Sequence, residues 1–392
     1  MVIAGGQWQV ALIRKAKAMG LWVINANLYP DSPGFRYADV GLVADVRDKQ
    51  KNLAFARQYQ PDGIVTDQTD LSVPTVAYLC EELGLPGIGV TKAELFTNKY
   101  QMRQFLRQRG YPTPEFALCQ SPADAADLAA KFGYPIVLKP PANQGSRGVF
   151  VVSADSELPS RYAEALRLSH DGHVLAEQFL PGSGLTVEGF KTSNRHYSLA
   201  VSRKKGLAHN SMVASEIIYS PAAEDLDFEA LKQQHNAMVE EMGLRFGITH
   251  AEYIFSRGRF FLVEVAARGG GSNISSHIVP AISGIDVNEL LVRMSLGESV
   301  DSLAPCANGV PFVGLGYFNF EPGIVRAVCG VETVRALPGV RNISIRVRSG
   351  QRLEPASDGP SRHGHFIAAA GSGKELQSLC RRIYQEVRVA YA

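Results

Sequence analysis

The sequence predicts an α/β fold of several units, the first of which is a doubly wound, Rossmann-like domain. Residues 1–91 alternate short apolar stretches with helical patterns joined by short links. The predicted strands are 1–4, 22–25 and 62–66, and the predicted helices are 9–19 and 73–83. Alternation of strands and helices with short connections is typical of a parallel sheet covered by helices.

The chain is too long for one core. It has 392 residues, whereas a single core stops growing near ~250 to 300 residues. After the N-terminal domain (1–91), we expect a helical linker (92–120), with a helix over 93–109 that ends before a Pro-containing segment. A small α+β unit (121–187), a central unit (188–309) with a helix over 228–246, and a C-terminal α+β domain (310–392) follow.

Charge and cysteine content narrow the class of protein. Forty Lys and Arg against 38 Asp and Glu give a formal charge of +2, so no overall field favours nucleic acid or an anionic membrane. The N-terminus resembles no signal peptide, and no apolar run approaches the ~20 residues of a membrane span. We therefore expect a cytoplasmic protein without membrane or nucleic-acid partners. The five cysteines, an odd number without a CxxC pair, are interpreted as reduced and mostly buried thiols.

The most informative segment is an apolar strand that ends in a lysine and leads into a glycine-rich turn. The strand 135–139 ends in Lys139, and the turn contains Gly145, Ser146, Arg147 and Gly148. Such a turn can place backbone N–H groups against phosphate oxygens, with the lysine as a point charge. The order differs from a Walker loop, in which the lysine follows the glycines. A plain β-hairpin turn with an exposed lysine is the alternative.

The next strand, 173–180, ends in Glu177-Gln178-Phe179-Leu180 and is followed by Pro-Gly. In this order the lysine strand, the glycine-rich turn and the second strand resemble the ATP-grasp superfamily, over nearly the whole chain. The resemblance implies an ATP-grasp fold with a small α+β lid. It also implies that Lys139 contacts the α- and β-phosphates, that the loop 143–148 closes over the triphosphate and that 177–180 bind adenine. The implied ATP-binding residues are Lys99, Lys139, Gly145, Ser146, Arg147, Gly148, Glu177, Gln178, Phe179 and Leu180.

A second group of residues predicts a metal site. Ser256-Arg257-Gly258 fits a three-residue hairpin loop that pairs Phe255 with Arg259. In that register Glu252 and Glu264 share one face as diagonal neighbours, roughly 7 to 8 Å apart. Two carboxylates this close repel each other unless a cation lies between them. We expect Mg²⁺, or Mn²⁺, bound by these carboxylates together with phosphate oxygens; two exposed glutamates on a hairpin are the alternative.

The resemblance also shows two departures. The family's Glu-x-Asn-x-Arg sequence stands here as Glu264-Val-Ala266-Ala-Arg268. Arg268 matches the arginine that steadies the acyl phosphate, with a structural arginine as the alternative. Ala266 cannot bind metal, which leaves that position to Asn273 or water. The family's ribose-binding acidic residue is replaced by Gly184, and Glu188 is the nearby substitute.

Two further features, the scattered histidines and the N-terminal turn, also have an interpretation. His209, His250 and His277 are interpreted as structural histidines. The turn at Gly5-Gly6 lacks a dinucleotide fingerprint. In the superfamily this first domain supports the substrate other than the nucleotide, and the turn is interpreted in that way.

The resemblance implies an ATP-dependent carboxylate-amine ligase that forms an acyl phosphate and releases ADP and phosphate. Its substrates are then a small-molecule carboxylate and an amine, and a homodimer is the assembly considered. A purine-pathway ribonucleotide ligase or carboxylase is the closest enzymatic alternative. It needs additional basic residues for a substrate phosphate, and the only compact basic cluster is Arg203-Lys204-Lys205. A nucleotide-binding module without catalysis is the alternative of another class.

Overall fold

A computed structural model describes residues 1–304 and 309–392. The helices are α1 (Val10–Ala18), α2 (Lys49–Tyr59), α3 (Val73–Leu83), α4 (Val90–Leu95), α5 (Lys99–Arg109), α6 (Pro122–Phe132), α7 (Leu158–Arg167), α8 (Phe228–Met242), α9 (Val279–Ser283), α10 (Val287–Ser295), α11 (Val331–Arg335) and α12 (Gly373–Glu386). The strands are β1 (Val2–Ile3), β2 (Ile24–Asn27), β3 (Val40–Val43), β4 (Phe116–Cys119), β5 (Ile136–Lys139), β6 (Phe150–Val152), β7 (Val174–Gln178), β8 (Ser183–Lys191), β9 (His196–Gly206), β10 (Ala214–Tyr219), β11 (Gly247–Ser256), β12 (Arg259–Ala266), β13 (Phe312–Phe318), β14 (Gly323–Cys329), β15 (Val340–Ile345), β16 (Arg352–Leu353), β17 (Gly364–Ala370) and β18 (Arg388–Tyr391).

The N-terminal domain contains the parallel sheet that the sequence predicts, in the order β1-β2-β3. Helix α3 has the predicted bounds. The strand predicted at 62–66 is wrong in extent, because it forms a single parallel bridge between Val65 and Val2. Two backbone hydrogen bonds flank this bridge, from Ile3 N to Val65 O (3.0 Å) and from Val65 N to Met1 O (2.9 Å).

The linker helix predicted over 93–109 is two helices, α4 and α5. Asn98 breaks the pattern because it caps α5: its side-chain oxygen accepts hydrogen bonds from the Tyr100 and Gln101 N–H groups, at 3.0 and 3.1 Å. The break places Lys99 at the first position of α5, where its N–H donates to Pro141 O at 2.8 Å. The linker thereby brings a lysine to the glycine-rich turn.

The lid is an antiparallel four-stranded sheet in the order β4-β7-β5-β6. Its core lies against α6 and α7 and includes Leu138, Val152, Tyr162 and Val174. Helix α6 begins with a capping box, in which Ser121 and Asp124 satisfy each other's backbone N–H groups. The lid sheet ends at Gln178, so the boundary predicted between residues 187 and 188 falls inside β8.

One antiparallel eight-stranded sheet, ordered β12-β11-β8-β9-β10-β13-β17-β15, contains strands from both the predicted central unit and the predicted C-terminal domain. Helix α8 packs on it through Leu231, Met238 and Val239. A small sheet, β16-β14-β18, completes the C-terminal part. The division of the chain at 309/310 stays a prediction.

The described cysteines are all free, and three of them are buried as predicted: Cys80, Cys119 and Cys380. Burial raises the pKa of each of these thiols to about 12, which keeps them protonated and unreactive. Cys329 is exposed, and Cys306 lies outside the described residues.

Candidate active site

Two adjoining cavities lie along the eight-stranded sheet. The first, about 300 Å³, is formed by the lid, α5 and strands β8, β9, β11 and β12. It brings together most of the predicted site residues: Lys99, Lys139, Gly145, Ser146, Arg147, Glu177, Gln178, Phe179, Leu180, Glu252 and Glu264. The second, about 130 Å³, lies between the N-terminal domain, the glycine-rich loop and the C-terminal residues 359–362.

The two cavities meet at shared walls, which include Ser146, Lys204, Glu252 and Glu264. Arg268 lines the second cavity and not the first. Gly148 is buried and lines neither. Its φ is +76°, and a Cβ there would lie 3.0 Å from the Pro140 ring. Gly148 therefore shapes the turn, and its contact with a ligand stays a prediction.

The lysine of the phosphate loop lies in a buried ion cluster. Lys139 Nζ is 2.6 Å from Glu177 Oε2, and Arg103 Nε is 2.8 Å from Glu177 Oε1, without hydrogen-bond alignment. Burial lowers the pKa of Lys139 to about 8, with Arg103 and Lys99 adding to the decrease. Burial raises the pKa of Glu177, but the charges of Arg103 and Lys139 outweigh it and hold that pKa below its ordinary value.

This cluster gives Glu177 a structural role. Its carboxylate pairs with Lys139 and Arg103. The N–H groups of Gln178 and Phe179 are also occupied, by Glu115 O at 2.8 Å and Pro135 O at 3.3 Å. Adenine binding by residues 177–180 stays a prediction, and these two N–H groups and the Glu177 carboxylate already have partners within the chain.

The hairpin that carries the paired carboxylates has a different register from the predicted one. Arg257 and Gly258 both have positive φ, 50° and 74°, as in a two-residue type I′ turn, and Ser256 pairs with Arg259. A register shift between Tyr253 and Glu252 then places Glu252 directly opposite Glu264. The shared face was predicted correctly, whereas the diagonal arrangement was wrong because the turn is one residue shorter and β12 carries a bulge.

Two lysines neutralise these carboxylates. Lys99 Nζ lies 2.6 Å from Glu264 Oε2, and Lys204 Nζ lies 2.7 Å from Glu252 Oε2. Burial raises the pKa of Glu264, but Lys99, Arg268 and His250 lower it to about 2. The repulsion that predicted a metal is thus already relieved within the chain.

The carboxylates nevertheless fit a hard cation. Both side chains line the two cavities where these meet, and carboxylate oxygens are ligands that Mg²⁺ accepts. The described residues contain no group of three or more His, Cys, Asp or Glu that is arranged for metal binding. Such an ion would therefore take its other ligands from phosphate oxygens and water, as Mg²⁺ usually does.

Arg268 joins the central sheet to the N-terminal domain. Its Nε and Nη2 donate to the two carboxylate oxygens of Asp70, at 2.9 and 2.7 Å, and its Nη1 donates to Gly269 O at 2.9 Å. Arg268 thus has the structural role that was the alternative interpretation. Since Arg268 also lines the second cavity beside Glu264, its remaining N–H groups are available to a ligand there.

The two substitutes suggested for the missing family residues lie elsewhere. Glu188 is buried and accepts hydrogen bonds from Tyr219 (2.8 Å), Thr186 (3.0 Å) and His250 (2.9 Å), so it is not directed at a ribose. Asn273 lines neither cavity, and its N–H donates to Gln68 Oε1 at 2.9 Å. Water, the other substitute considered, stays a prediction. The interpretation of His250 as a paired structural histidine agrees with its bond to Glu188.

The glycine-rich loop is closed onto three other segments. Gln144 Nε2 donates to Thr69 Oγ1 at 3.2 Å, and Ser146 Oγ donates to Met212 O at 2.9 Å. Gly359 N donates to Gly145 O at 2.9 Å. Positive φ values at Gly145 and Ser146, 67° and 59°, turn the loop back over the first cavity. Its position agrees with the lid function that the resemblance implies.

Sequence reasoning missed Lys204 and Arg103. Lys204 belongs to the basic cluster noted in the sequence, and it pairs across the strands with Gly184. A Cβ at Gly184 would lie 3.4 Å from Lys204 Cβ, so the exchange of the family's acidic residue for glycine leaves room for this lysine. In the sequence, Arg103 resembles an ordinary charged residue on the surface of a helix. In the structure it is 1% exposed and also donates to Val263 O at 2.8 Å.

Comparison with known proteins identifies the family. A family model described as carbamoyl-phosphate synthase L chain, ATP binding domain, matches residues 98–303, which is more than half of the chain. The chain belongs to this family. A second model, L-amino acid ligase C-terminal domain 2, matches residues 316–392. The match of the ATP-binding domain confirms the predicted ATP-grasp assignment and the prediction of an ATP-dependent ligase.

Two proteins of known name align with nearly the whole of this chain. A formate-dependent phosphoribosylglycinamide formyltransferase of Sulfurisphaera tokodaii is 22% identical over 403 aligned positions, covering 97% of this chain and 94% of its own. The crystal structure of an L-amino acid ligase from Bacillus licheniformis has a TM-score of 0.85 at 22% identity, covering 100% of this chain and 98% of the other. These matches confirm the predicted fold class.

A third similar protein is the biotin carboxylase domain of a 2-oxoglutarate carboxylase from Hydrogenobacter thermophilus, solved with MgADP, ADP and bicarbonate. Its TM-score is 0.76 at 18% identity, covering 99% of this chain and 90% of the other. None of the helices described for the present chain is long and apolar enough to cross a membrane.

The lowered pKa of Lys139 predicts a pH dependence of ATP binding. Its folded pKa, about 8, lies below the ordinary lysine value, so the charge that meets phosphate is lost as pH rises above about 8. The Michaelis constant for ATP should therefore increase between about pH 8 and pH 9.5. In Lys139→Arg the charge persists, and this increase should be absent. Identical profiles for both proteins would exclude Lys139 from phosphate binding.

Proposed function

We propose that this protein is an ATP- and Mg²⁺-dependent ligase that joins the carboxylate of one small acid to the amine of a second molecule through an acyl phosphate. One observation carries the proposal: the paired side chains of Glu252 and Glu264 lie where the two cavities meet. One cavity fits a nucleotide and the other a small substrate, so their junction is where a phosphoryl group would be transferred.

The first cavity supplies the groups that a nucleotide needs. Lys139 lies beside the glycine-rich loop, whose backbone N–H groups suit phosphate oxygens. Glu177 holds the Lys139 ammonium in place and is itself paired with Arg103. The purine would then lie against residues 177–180, which line the same cavity.

Glu252 and Glu264 would hold Mg²⁺, or Mn²⁺, through their carboxylate oxygens. When bound, such an ion neutralises charge on the phosphate oxygens during transfer. Lys99 and Lys204 pair with the two carboxylates and hold them in place. Arg268, held by Asp70, would direct its remaining donors at the acyl phosphate and at the oxyanion formed when it is attacked.

The bond changes follow from this arrangement. A carboxylate oxygen of the acid attacks the γ-phosphorus, and ADP leaves. The amine nitrogen then attacks the acyl carbon, the bond from that carbon to the phosphate oxygen breaks, and phosphate leaves with the electron pair. An ammonium substrate gives up two protons in all. The closed loop, tethered through Gln144, Gly145 and Ser146, excludes the water that would hydrolyse the acyl phosphate.

Two observations favour amino acids or similar small acids over a ribonucleotide. Residues 316–392 match the C-terminal domain of L-amino acid ligases, and the second cavity, about 130 Å³, is small compared with the ~300 to 1,000 Å³ of drug-sized ligand pockets. The purine-type ligase stays the second candidate because a full-length relative is a phosphoribosylglycinamide formyltransferase. Action in the cytoplasm and a homodimer also stay predictions.

We predict that Glu264→Gln lowers kcat about 10²- to 10³-fold, the scale of removing one preorganised electrostatic contact. ATP should still bind, because Lys139 and residues 177–180 are untouched. Phosphate release and calorimetry measure the two effects. The matched control is Glu332→Gln, a change to an exposed helix glutamate whose side chain is 80% accessible. Equal activity of both variants at millimolar Mg²⁺ would remove Glu264 from the metal site.

The reaction type can be tested without knowledge of the amine. With ATP, Mg²⁺ and the correct acid, hydroxylamine should trap the acyl phosphate as a hydroxamate, with one ADP and one phosphate formed per hydroxamate. A screen of amino acids and small acids identifies the substrate. A product that contains AMP would contradict the mechanism, and ATP binding without turnover of any acid would favour the non-catalytic module.

A further inference from the structure

The second cavity has a positively charged wall that the described chain does not neutralise. Arg362 donates only to backbone carbonyls, from Nε to Gly359 O at 2.9 Å and from Nη1 to Ala214 O at 3.3 Å. Neither Arg362 nor Arg147, which also lines this cavity, forms an ion pair with a described residue. The other cations of the wall, Lys204 and Arg268, are paired. This wall therefore lacks an anion.

The Arg362 side chain is fixed by stacking and keeps N–H groups that can bind a ligand. Its guanidinium carbon lies 3.3 Å from the centre of the Tyr317 ring, an arrangement in which the plane is fixed by stacking. Both Nη2 hydrogens and one Nη1 hydrogen have no partner in the described residues. Two N–H groups side by side on one guanidinium match the two oxygens of a carboxylate.

A further guanidinium, that of Arg346, lies near this wall. Burial is the main reason that the pKa of His365 is lowered to about 4, and the charges of Arg346 and Arg362 add to the decrease. Glu252 and Glu264 line this cavity and the first one as well, whereas Arg362 lines the second alone. A ligand that extends from Arg362 to the junction of the cavities, where the acyl phosphate would form, would thus place an anion at Arg362 and its reacting atom at the junction.

The size of the cavity limits the ligand. Its volume of about 130 Å³ is less than half of the roughly 300 Å³ of the first cavity, so it suits a ligand smaller than a nucleotide, such as an amino acid. Apolar side chains of Trp8, Ile217 and Ile274 line it and can cover the ligand's side chain.

We propose that Arg362 binds the α-carboxylate of an amino acid whose amine attacks the acyl phosphate. The proposal rests on the proposed function and names its second substrate class, α-amino acids. The carboxylate bound by Arg362 is not the one that is phosphorylated, because Arg362 lines only the second cavity and the reacting carboxylate must lie at the junction of the two.

The test compares each acceptor amino acid with its own carboxamide, in which the amine is kept and the negative charge is lost. The wild type should prefer the free acid about ten- to a hundredfold in kcat/KM, the range for hydrogen bonds to a charged group. Arg362→Met keeps the stem over Tyr317 and should abolish this preference by raising KM for the free acid alone. Arg362→Lys keeps the charge without the fork and should give an intermediate preference.

A purely structural role is distinguishable. Arg362 also holds Gly359 O, and Gly359 N–H bonds to Gly145 O in the lid loop, so Arg362→Met could loosen the lid. A loosened lid would lower the rates with the free acid, with the carboxamide and with hydroxylamine by one common factor. This outcome would overturn the proposal. The expected outcome is unchanged hydroxamate formation with loss of the preference.

Two controls complete the experiment. Arg346→Met removes a neighbouring guanidinium that does not line the cavity and should retain the preference. If Arg362→Met does not fold, retention of the full preference by Arg362→Lys overturns the proposal, and its reduction supports it. If the wild type uses free acids and carboxamides equally, the role of Arg362 is refuted and the proposed function is not. If the wild type forms no hydroxamate with any acid, the proposed function is refuted.

Discussion

Ion pairing of buried and half-buried carboxylates is the interaction on which this site depends. Each pair joins segments that are far apart in sequence, and together they connect the N-terminal domain, the linker, the lid and the eight-stranded sheet: Asp70 with Arg268, Lys99 with Glu264, Arg103 and Lys139 with Glu177, and Lys204 with Glu252. Loss of one partner leaves a buried charge uncompensated, which costs more than the pair itself contributes. The units are therefore held in the arrangement that forms both cavities.

The same pairs prepare the site for highly charged ligands. Burial is the main reason that the pKa of Lys139 falls to about 8, and the charges of Arg103 and Lys99 add to the decrease. A triphosphate would bring negative charge to these cations in the first cavity, and a carboxylate would do so at Arg362 in the second. The cations of the two cavities thus correspond to the anionic groups of the proposed substrates.

Local patterns in the sequence predicted the parallel N-terminal sheet, helix α3 and the order of lid elements, because these depend on periodicity and on turn residues close in sequence. The hairpin pattern predicted that Glu252 and Glu264 share a face, and the resemblance implied a nucleotide-binding role for Lys139. Two details failed for local reasons: Asn98 caps a new helix, and Arg257 accepts a positive φ beside Gly258, which shortens the turn. Lys204 and Arg103 escaped notice because their partners lie 48 and 74 residues away, and no periodicity encodes such pairs.

The most direct test of the account is transfer of an oxygen atom from the acid to phosphate. The account requires attack of a carboxylate oxygen on the γ-phosphorus at the junction marked by Glu252 and Glu264. With the acid labelled by ¹⁸O in both carboxylate oxygens, mass spectrometry should find one ¹⁸O atom in each inorganic phosphate released and none in ADP. Appearance of the label in AMP, or phosphate without label during amide formation, would contradict it.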